Sequence, residues 1–204
     1  ITNRLIVGVV AALVLLLIVN VLLGLAGPNN FDPEAYIEKR EQYQVTIVRD
    51  KWGVPHIEGR RDSDTAFGFA YAQAEDHYQL IEDSMYFYRG TQSAKNGYES
   101  VALDYLVKLL QIRSQVDRQY DADLSDDIKA VLIGFVDGIN YWAAKHPDQV
   151  DQNLYPITAK DLVASFSLQH LLFYGIQQPI TELFGEKRPK TISMESNETA
   201  WQLV

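Results

Sequence analysis

The chain contains no cysteine among its 204 residues. Disulfide bonds, zinc sites built on thiolates and a cysteine nucleophile are therefore excluded. Lys and Arg number 18 against 27 Asp and Glu, which gives a formal net charge of −9 at pH 7. This balance argues against a nucleic-acid partner, because such a partner needs clustered basic side chains. The four histidines show no spacing typical of zinc ligands.

Apolar and aromatic residues are plentiful, with 8 Phe, 12 Tyr and 3 Trp in the chain. Side chains of this kind need a core in which to be buried, so the composition predicts a folded protein and not a disordered one. The length allows one domain or one large piece of a domain. The chain begins with Ile, and we expect it to be a fragment of a longer precursor.

The N-terminal part contains one long apolar run. Residues 5–27 carry no charge, with Asn20 as the one amide, and the run is long enough to cross a hydrocarbon core of about 30 Å as a helix. Arg4 precedes it, so the positive-inside rule predicts a cytoplasmic stub, residues 1–4, and an extracytoplasmic remainder. Gly24-Leu25-Ala26 resembles a signal-peptidase site, but the run exceeds the 7–15 apolar residues typical of a cleaved signal. We therefore favour an uncleaved membrane anchor over a signal segment.

The next part of the chain predicts a linker followed by a β-hairpin. Residues 28–42 are polar and include a breaker cluster, and they read as a linker or a short helix. Tyr43–Arg49 alternates and is rich in β-branched residues, which predicts a strand. Asp50–Gly53 then forms a turn, and residues 54–57 resume an extended conformation because Pro55 disfavours helix at Val54.

Four amphipathic helices are predicted after the hairpin, from three- and four-residue apolar spacing. They run from a cap at Ser63 to about Arg89, from 101 to 120, from a cap at Ser125 to just before His146, and from a cap at Thr158 towards Pro179. Residues 185–204 are polar and read as a C-terminal loop or spacer. The predicted fold class is α+β, a mostly helical fragment with an N-terminal hairpin.

Few residues suggest chemistry by themselves. His146 follows a helix end, where a cation is favoured, and His170 lies on a largely apolar helix, where we expect it to pack. Glu75 and Asp76, with Glu82 and Asp83, make an acidic helix face that fits ion pairing or solvation, although paired carboxylates could also serve acid–base catalysis. The residues alone thus predict a helical module without a self-sufficient active site.

Three motifs, RDKWGVPHI at residues 49–57, GFAYAQAED at 68–76 and LIGFVDGIN at 132–140, together resemble the penicillin acylase family. Residues 49–57, RDKWGVPHI, resemble its R-D-x-x-G-V-P-H-I opening, and residues 68–76, GFAYAQAED, resemble its G-x-x-Y-A-x-A-x-D helix. Residues 132–140, LIGFVDGIN, resemble its L-x-G-F-x-x-G-x-N helix. Arg89-Gly90 resembles the R-G that closes the first long helix, and Asp161 with residues 173–175 resembles the helix that follows. These elements occur in the family's order over residues 43–184.

The resemblance implies the smaller, alpha chain of an exported N-terminal-nucleophile hydrolase with an αββα fold, completed by a larger downstream chain of the same precursor. Self-cleavage of such a zymogen frees an N-terminal Ser on the larger chain, whose α-amine acts as the base. The Ser attacks an amide that carries a hydrophobic acyl group, such as a β-lactam or an acyl-homoserine lactone, and forms an acyl-enzyme. The fragment alone is then inactive, and its location is periplasmic or on the outer face of the plasma membrane.

Several residues receive roles from the resemblance. Phe173 and Tyr174 are implied to line the acyl pocket, and Glu182 lies near the place where many members hold a structural calcium ion. The chemistry itself needs no cofactor. Ser196-Asn197 is the candidate for the nucleophile, but Glu195 stands where the family has Gly. We therefore predict that the nucleophile lies beyond Val204 and keep Ser196 as the second choice.

Two other classes stay open. A non-enzymatic, membrane-anchored extracytoplasmic sensor or scaffold would also combine an N-terminal anchor with amphipathic helices, but it leaves the ordered motifs unexplained. A protein that binds basic peptides through its acidic face is a third hypothesis.

Overall fold

The computed structural model describes residues 13–19 and 31–175. Residues 13–19 are helical and exposed (α1). Within these two ranges, no helix combines the length and the apolar character needed to cross a membrane. Most of the run 5–27 lies outside the described residues, so the membrane anchor stays a prediction.

The remaining described residues form seven α-helices, one two-stranded sheet and three 3-10 turns. The helices are α2 (Pro33–Lys39), α3 (Asp62–Tyr88), α4 (Ser93–Asn96), α5 (Val101–Leu109), α6 (Ile112–Asp123), α7 (Asp126–Lys145) and α8 (Ala159–Phe173). The strands are β1 (Val45–Arg49) and β2 (Pro55–Gly59). The predicted α+β class is confirmed.

The predicted hairpin is confirmed. Strands β1 and β2 are antiparallel, with Ile47 opposite Ile57. Alternate residues of both strands are partly buried, and this face lies on α3 at Gly68. A Cβ atom at Gly68 would lie 2.5 Å from a methyl group of Val45 and 2.9 Å from one of Ile57. Glycine is therefore required there by the close approach of the hairpin to the helix.

The core lies mainly between α3 and α7, which pack along most of their length. Two glycines of α7 allow this approach. A Cβ atom at Gly134 would lie 2.3 Å from the carbonyl oxygen of Ser63, and one at Gly138 would lie 2.2 Å from that of Phe67. The two glycines of the L-x-G-F-x-x-G-x-N motif thus set the distance between the two longest helices.

The asparagine of the same motif connects α7 to the segment that leads into α8. The Asn140 amide donates to the Ile157 carbonyl and accepts from the Ile157 N–H, each at 2.8 Å. Asn140 and Ile157 are among the most completely buried residues. One side chain therefore satisfies both backbone groups of a residue that has no secondary-structure partner.

Segment 28–42 was predicted as a linker or short helix, and its described part is helical and packed. Asp32 caps α2, where its Oδ1 accepts from the backbone N–H of Glu34. Phe31 is buried against Tyr155, and α2 packs on α7. This segment therefore contributes to the core.

Two helix boundaries differ from the prediction. Helix α3 is capped at Arg61 and not at Ser63, because the Asp64 carboxylate reaches back to the Arg61 backbone N–H at 3.0 Å. The described helix α8 ends at Phe173, with Gly175 at φ +85°, six residues before Pro179.

The helix predicted over 101–120 is two helices. Gln111 adopts a left-handed conformation at φ +52° and separates α5 from α6. The two parts pack on different neighbours, since α5 contacts α3 whereas α6 contacts α8. A single straight helix could not serve both surfaces, so tertiary packing imposes the break without a Gly or Pro signal.

Candidate functional site

The candidate site is the helix α8 and its surroundings, because the family resemblance implies that Phe173 and Tyr174, at its end, line the acyl pocket. Its start is fixed by the predicted capping box. Thr158 Oγ1 accepts from the Asp161 N–H at 3.2 Å, and Asp161 Oδ2 accepts from the Thr158 N–H at 2.8 Å. Asp161, Ala164 and Leu168 are buried and form the inward face of the helix.

The buried Asp161 carboxylate is also the centre of an ionic cluster with two partly exposed arginines. Arg89 donates to it from Nη2 at 2.8 Å and from Nε at 3.2 Å, and Arg113 donates to its Oδ1. The Arg89 guanidinium also donates to the carbonyl oxygens of Leu154 and Pro156, at 2.5 and 3.1 Å. Arg89 therefore connects the end of α3 with the loop before α8 and with α8 itself.

The electrostatics of this cluster favour the charged carboxylate. Burial raises the pKa of Asp161. The hydrogen bonds and charge of Arg89, together with the hydrogen bonds from Thr158, outweigh burial and lower this pKa below its usual value. Removing one partner of a buried ion pair strongly destabilises the folded protein, because the other charge is left unpaired. The pairing of Arg89 with Asp161 thus holds α8 at a fixed position on the core.

The outward face of α8 carries exposed aromatic rings. Phe166 is 51% exposed, Phe173 65% and Tyr174 85%. The rings of Phe166 and His170 lie 4.3 Å apart, and those of His170 and Tyr174 lie 6.2 Å apart, between centroids. Exposed apolar surface of this extent marks a site for a ligand or another chain.

The predicted pocket residues Phe173 and Tyr174 therefore lie together at one end of this outward face. Their contact with a substrate stays a prediction. Glu182 and Ser196 lie outside the described residues. In the ranges 13–19 and 31–175, no three His, Asp or Glu side chains come together in a group that could hold a metal ion.

The histidine predictions have different outcomes. His146 is the C-cap of α7, as predicted, and its Nδ1 lies 2.8 Å from the Trp142 carbonyl oxygen while its ring stacks on that indole. His170 was expected to pack, which is wrong, because it is exposed. His170 lies on the outward face of α8. The apolar residues next to it in the sequence had suggested burial instead.

The acidic helix face is ion-paired, which confirms the structural interpretation over the catalytic one. Glu75 and Asp76 both pair with Arg49, at 2.6 and 2.9 Å, and Asp83 pairs with Lys95. Glu82 is buried and accepts from the Asp151 backbone N–H at 3.0 Å.

Burial raises the pKa of Glu82 above its ordinary value. The nearby charge of Asp151 adds to this increase, and the hydrogen bond from the Asp151 backbone N–H opposes it without cancelling it. The same Asp151 carboxylate accepts from the Tyr86 hydroxyl. These groups connect α3 to the loop that follows α7.

The R-D-x-x-G motif builds the turn between the two strands. The Asp50 carboxylate accepts from the N–H groups of Trp52 and Val54, at 2.8 and 3.0 Å. Arg49 donates to the Gly53 carbonyl at 2.8 Å, and Gly53 has φ +85°. The motif is therefore a self-contained turn that Arg49 attaches to α3 through Glu75.

Sequence reasoning missed two further buried carboxylates. Asp137 accepts from Lys39 Nζ at 2.7 Å and from the Tyr43 hydroxyl at 2.6 Å, which attaches the N-terminal segment to α7. Asp104 accepts from the N–H groups of Gln92 and Ser93, at 2.7 and 2.8 Å. The sequence signal that could have indicated their burial was an acidic residue placed within the apolar stripe of a helix.

The described serines show no activated nucleophile. Across 13–19 and 31–175, the hydroxyls of Ser84, Ser165 and Ser167 donate to backbone carbonyls of their own helices, and Ser125 caps α7. None of these hydroxyls is hydrogen-bonded to a histidine or a carboxylate. What this part of the chain offers chemically is a scaffold with exposed aromatic side chains, among them those on the outward face of α8.

Comparisons with known proteins agree with these motifs. Residues 44–200 match the family model described as penicillin amidase. The chain is 27% identical over 113 residues to penicillin G acylase from Escherichia coli, an alignment that covers 53% of this chain and 13% of that protein. It is 28% identical over 100 residues to penicillin acylase 2 proenzyme from Pseudomonas sp. (strain SE83), covering 49% of this chain and 13% of that protein.

A solved structure shares the fold. The thermostable penicillin G acylase from Alcaligenes faecalis matches with a TM-score of 0.54 and 22% sequence identity, over 72% of this chain and 87% of the matched chain. The chain spans only about an eighth of the length of the curated relatives that it matches.

Proposed function

The chain belongs to the penicillin amidase family, and on that basis we propose that it is the smaller-chain part of an N-acyl amide hydrolase. The observation that carries this proposal is the family match over residues 44–200. The curated relatives extend far beyond the matched region, since the alignments cover 13% of each. A larger downstream chain of the same precursor is therefore the proposed partner, and this part alone is inactive.

The proposed chemistry is that of an N-terminal serine. The free α-amine of the downstream chain, whose usual pKa is about 8, takes the hydroxyl proton as the oxygen attacks the amide carbonyl carbon. The carbon–nitrogen bond breaks, the amine leaves with a proton, and water then hydrolyses the acyl-enzyme. Oxyanion donors come from the larger chain. The nucleophile is proposed beyond Val204, with Ser196 as the second candidate.

The role proposed for the described residues is to form one wall of the acyl pocket. Phe173 and Tyr174 offer aromatic surface on the outward face of α8, and the Asp161 cluster keeps that helix from shifting. A wall of this kind suits a hydrophobic acyl group, such as that of a β-lactam or an acyl-homoserine lactone. A wall held on a rigid element also positions substrate more precisely than a loop does.

Two further parts of the proposal concern metal and location. Among the described residues no group of three or more acidic or histidine side chains could hold a metal ion. A structural calcium ion held by Glu182 together with the larger chain stays part of the proposal, and no step of the chemistry depends on it. The protein is proposed to be extracytoplasmic, with residues 5–27 as an anchor. This rests on the charge pattern of the sequence.

The sensor or scaffold hypothesis has no structural observation in its favour. The motifs that it left unexplained are packing and turn-forming residues of the shared fold, among them Gly138, Asn140 and Arg49. The peptide-binding hypothesis is weakened as well, because Glu75 and Asp76 are already paired with Arg49.

The experiment that tests the proposal is N-terminal sequencing of the mature larger chain, after expression of the complete gene with export. A start at a Ser beyond Val204, together with hydrolysis of N-acyl amides, supports the proposal. A start at Ser196 would make Glu195-Ser196 the self-cleaved bond and would keep the hydrolase class. An unprocessed and inactive precursor would refute the hydrolase.

A further inference from the structure

The outward face of α8 contains one polar ring between aromatic ones. Phe166, His170 and Tyr174 follow each other at four-residue spacing, and their rings form a row along one face of the helix. All three are exposed, whereas the buried residues Ala164 and Leu168 lie on the opposite face. A histidine at the centre of such a row places nitrogen atoms within an otherwise apolar surface.

The hydrogen bond of this ring defines its tautomer. His170 Nδ1 lies 3.2 Å from the Phe166 carbonyl oxygen. A carbonyl oxygen can only accept, so Nδ1 carries the hydrogen when the ring is neutral. Nε2 then holds a lone pair and is a hydrogen-bond acceptor.

A place in the last turn of α8 accounts for His170 Nδ1, which faces the carbonyl oxygen of Phe166, but not for Nε2. A core histidine is buried, and this one is exposed. Among residues 13–19 and 31–175, its ring has no carboxylate within 4.0 Å, unlike that of His56, which faces Asp50 at 3.6 Å. His146 already illustrates the capping role, at the end of α7 and stacked on Trp142.

We infer that His170 is a specificity residue that selects acyl groups bearing a hydroxyl, by accepting a hydrogen bond from it at Nε2. The inference rests on the proposed function, because it takes this face as the acyl wall. Phe166 and Tyr174 contact the apolar part of the acyl group on either side, about 6 Å along the helix from each to His170. A site that hydrogen-bonds a substrate hydroxyl discriminates against the analogue that lacks it, because the site's polar atom is then left unpaired.

The test uses the complete mature enzyme and a matched set of amides, all measured at one pH. The substrates are phenylacetyl amides and their 2-, 3- and 4-hydroxyphenylacetyl counterparts. The measured quantity is the ratio of kcat/KM for the best hydroxylated substrate to that for the plain one. The variants are His170→Phe, which keeps a ring without nitrogen, and His170→Gln, which keeps a polar acceptor.

The expected result is a ratio about two- to tenfold lower in His170→Phe than in the wild type, the range of one net hydrogen bond. His170→Gln should retain most of the ratio. His56→Phe is the matched control, since it makes the same change at an exposed histidine on the hairpin, and its ratio should equal that of the wild type.

The outcomes separate the two levels of the argument. If the wild type hydrolyses none of these amides, the inference fails, and the proposed function fails too if amides with aliphatic acyl groups are also left intact. Hydrolysis with equal ratios in the wild type and His170→Phe would overturn the inference alone. A ratio lost equally in His170→Phe and His170→Gln would also overturn it, because ring shape and not a hydrogen bond would then be responsible.

Discussion

Replacing Asn140 by alanine is the most direct test of what the family motif does in the fold. The change removes two hydrogen bonds of 2.8 Å and leaves the N–H and carbonyl of Ile157 without partners in a position that is fully buried. Each unsatisfied buried backbone group costs about 1–3 kcal/mol. The expected loss in the free energy of unfolding is therefore about 2–6 kcal/mol, at the large end of single-residue effects.

The measurement is the urea unfolding curve of the mature full-length protein, followed by tryptophan fluorescence. Trp142 is a suitable reporter because it lies on α7, two residues from Asn140. Asn153→Ala is the matched control, since this asparagine is exposed and only its backbone N–H makes a hydrogen bond. The control should stay within about 0.5 kcal/mol of the wild type.

A second variant separates the donor from the acceptor. In Asn140→Asp the new carboxylate can accept from the Ile157 N–H but cannot donate to the Ile157 carbonyl unless it is protonated. Its destabilisation should therefore decrease as the pH falls. If Asn140→Ala unfolds like Asn153→Ala, the proposed structural role of the motif asparagine is refuted.

The same structure yields four other predictions. Asp161→Asn should lower the free energy of unfolding by about 3–5 kcal/mol at pH 7. Because the pKa of Asp161 is lowered, the stability that its charge provides is present above about pH 4 and is lost as the pH falls below that value. Urea unfolding at several pH values should therefore show the variant and the wild type converging in acid. Arg89→Ala should be destabilising for the same reason, and it also leaves two carbonyl oxygens unpaired; a melting temperature equal to that of the wild type would contradict the cluster's role. Glu82→Gln should raise the urea midpoint at pH 7 but not near pH 4. The pKa of this buried carboxyl is raised in the folded protein, so its ionisation as the pH rises through that pKa destabilises the fold. Glutamine cannot ionise and avoids this loss. Phe173→Ala and Tyr174→Ala should change the ratio of kcat/KM between long and short acyl amides, and unchanged chain-length selectivity in both would reject the pocket-wall assignment.

The motifs that reveal the family are mainly structural in the described residues. Gly138 allows two helices to touch, Asn140 satisfies a buried peptide, and Asp50 with Gly53 forms a turn. None of these residues makes a contact that suggests catalysis. Their order in the sequence predicted the family because a fold with such close contacts tolerates few alternatives at these positions.

Some features could be predicted because their causes are local. The hairpin follows from alternation and the Asp-x-x-Gly turn, the starts of α7 and α8 follow from Ser125 and Thr158 as caps, and the end of α3 follows from Gly90. Each depends on residues within a few positions of each other. The α+β class follows from the same short-range signals, whereas the candidate wall on α8 was implied only by the family resemblance.

The remaining features were decided only by tertiary structure. The break at Gln111 has no local signal, because it arises from α5 and α6 packing on different helices. Asp161 pairs with Arg89, 72 positions away, and Asp137 pairs with Lys39, 98 positions away. His170 lies outward and not inward because helix α8 is fixed in its rotation by that distant arginine. The sequence by itself determined where the hairpin, α7 and α8 start and to which family the chain is similar, since those depend on neighbouring residues. Only the folded chain decided which charges are buried together and which aromatic face is left exposed, since those depend on contacts between residues far apart in sequence.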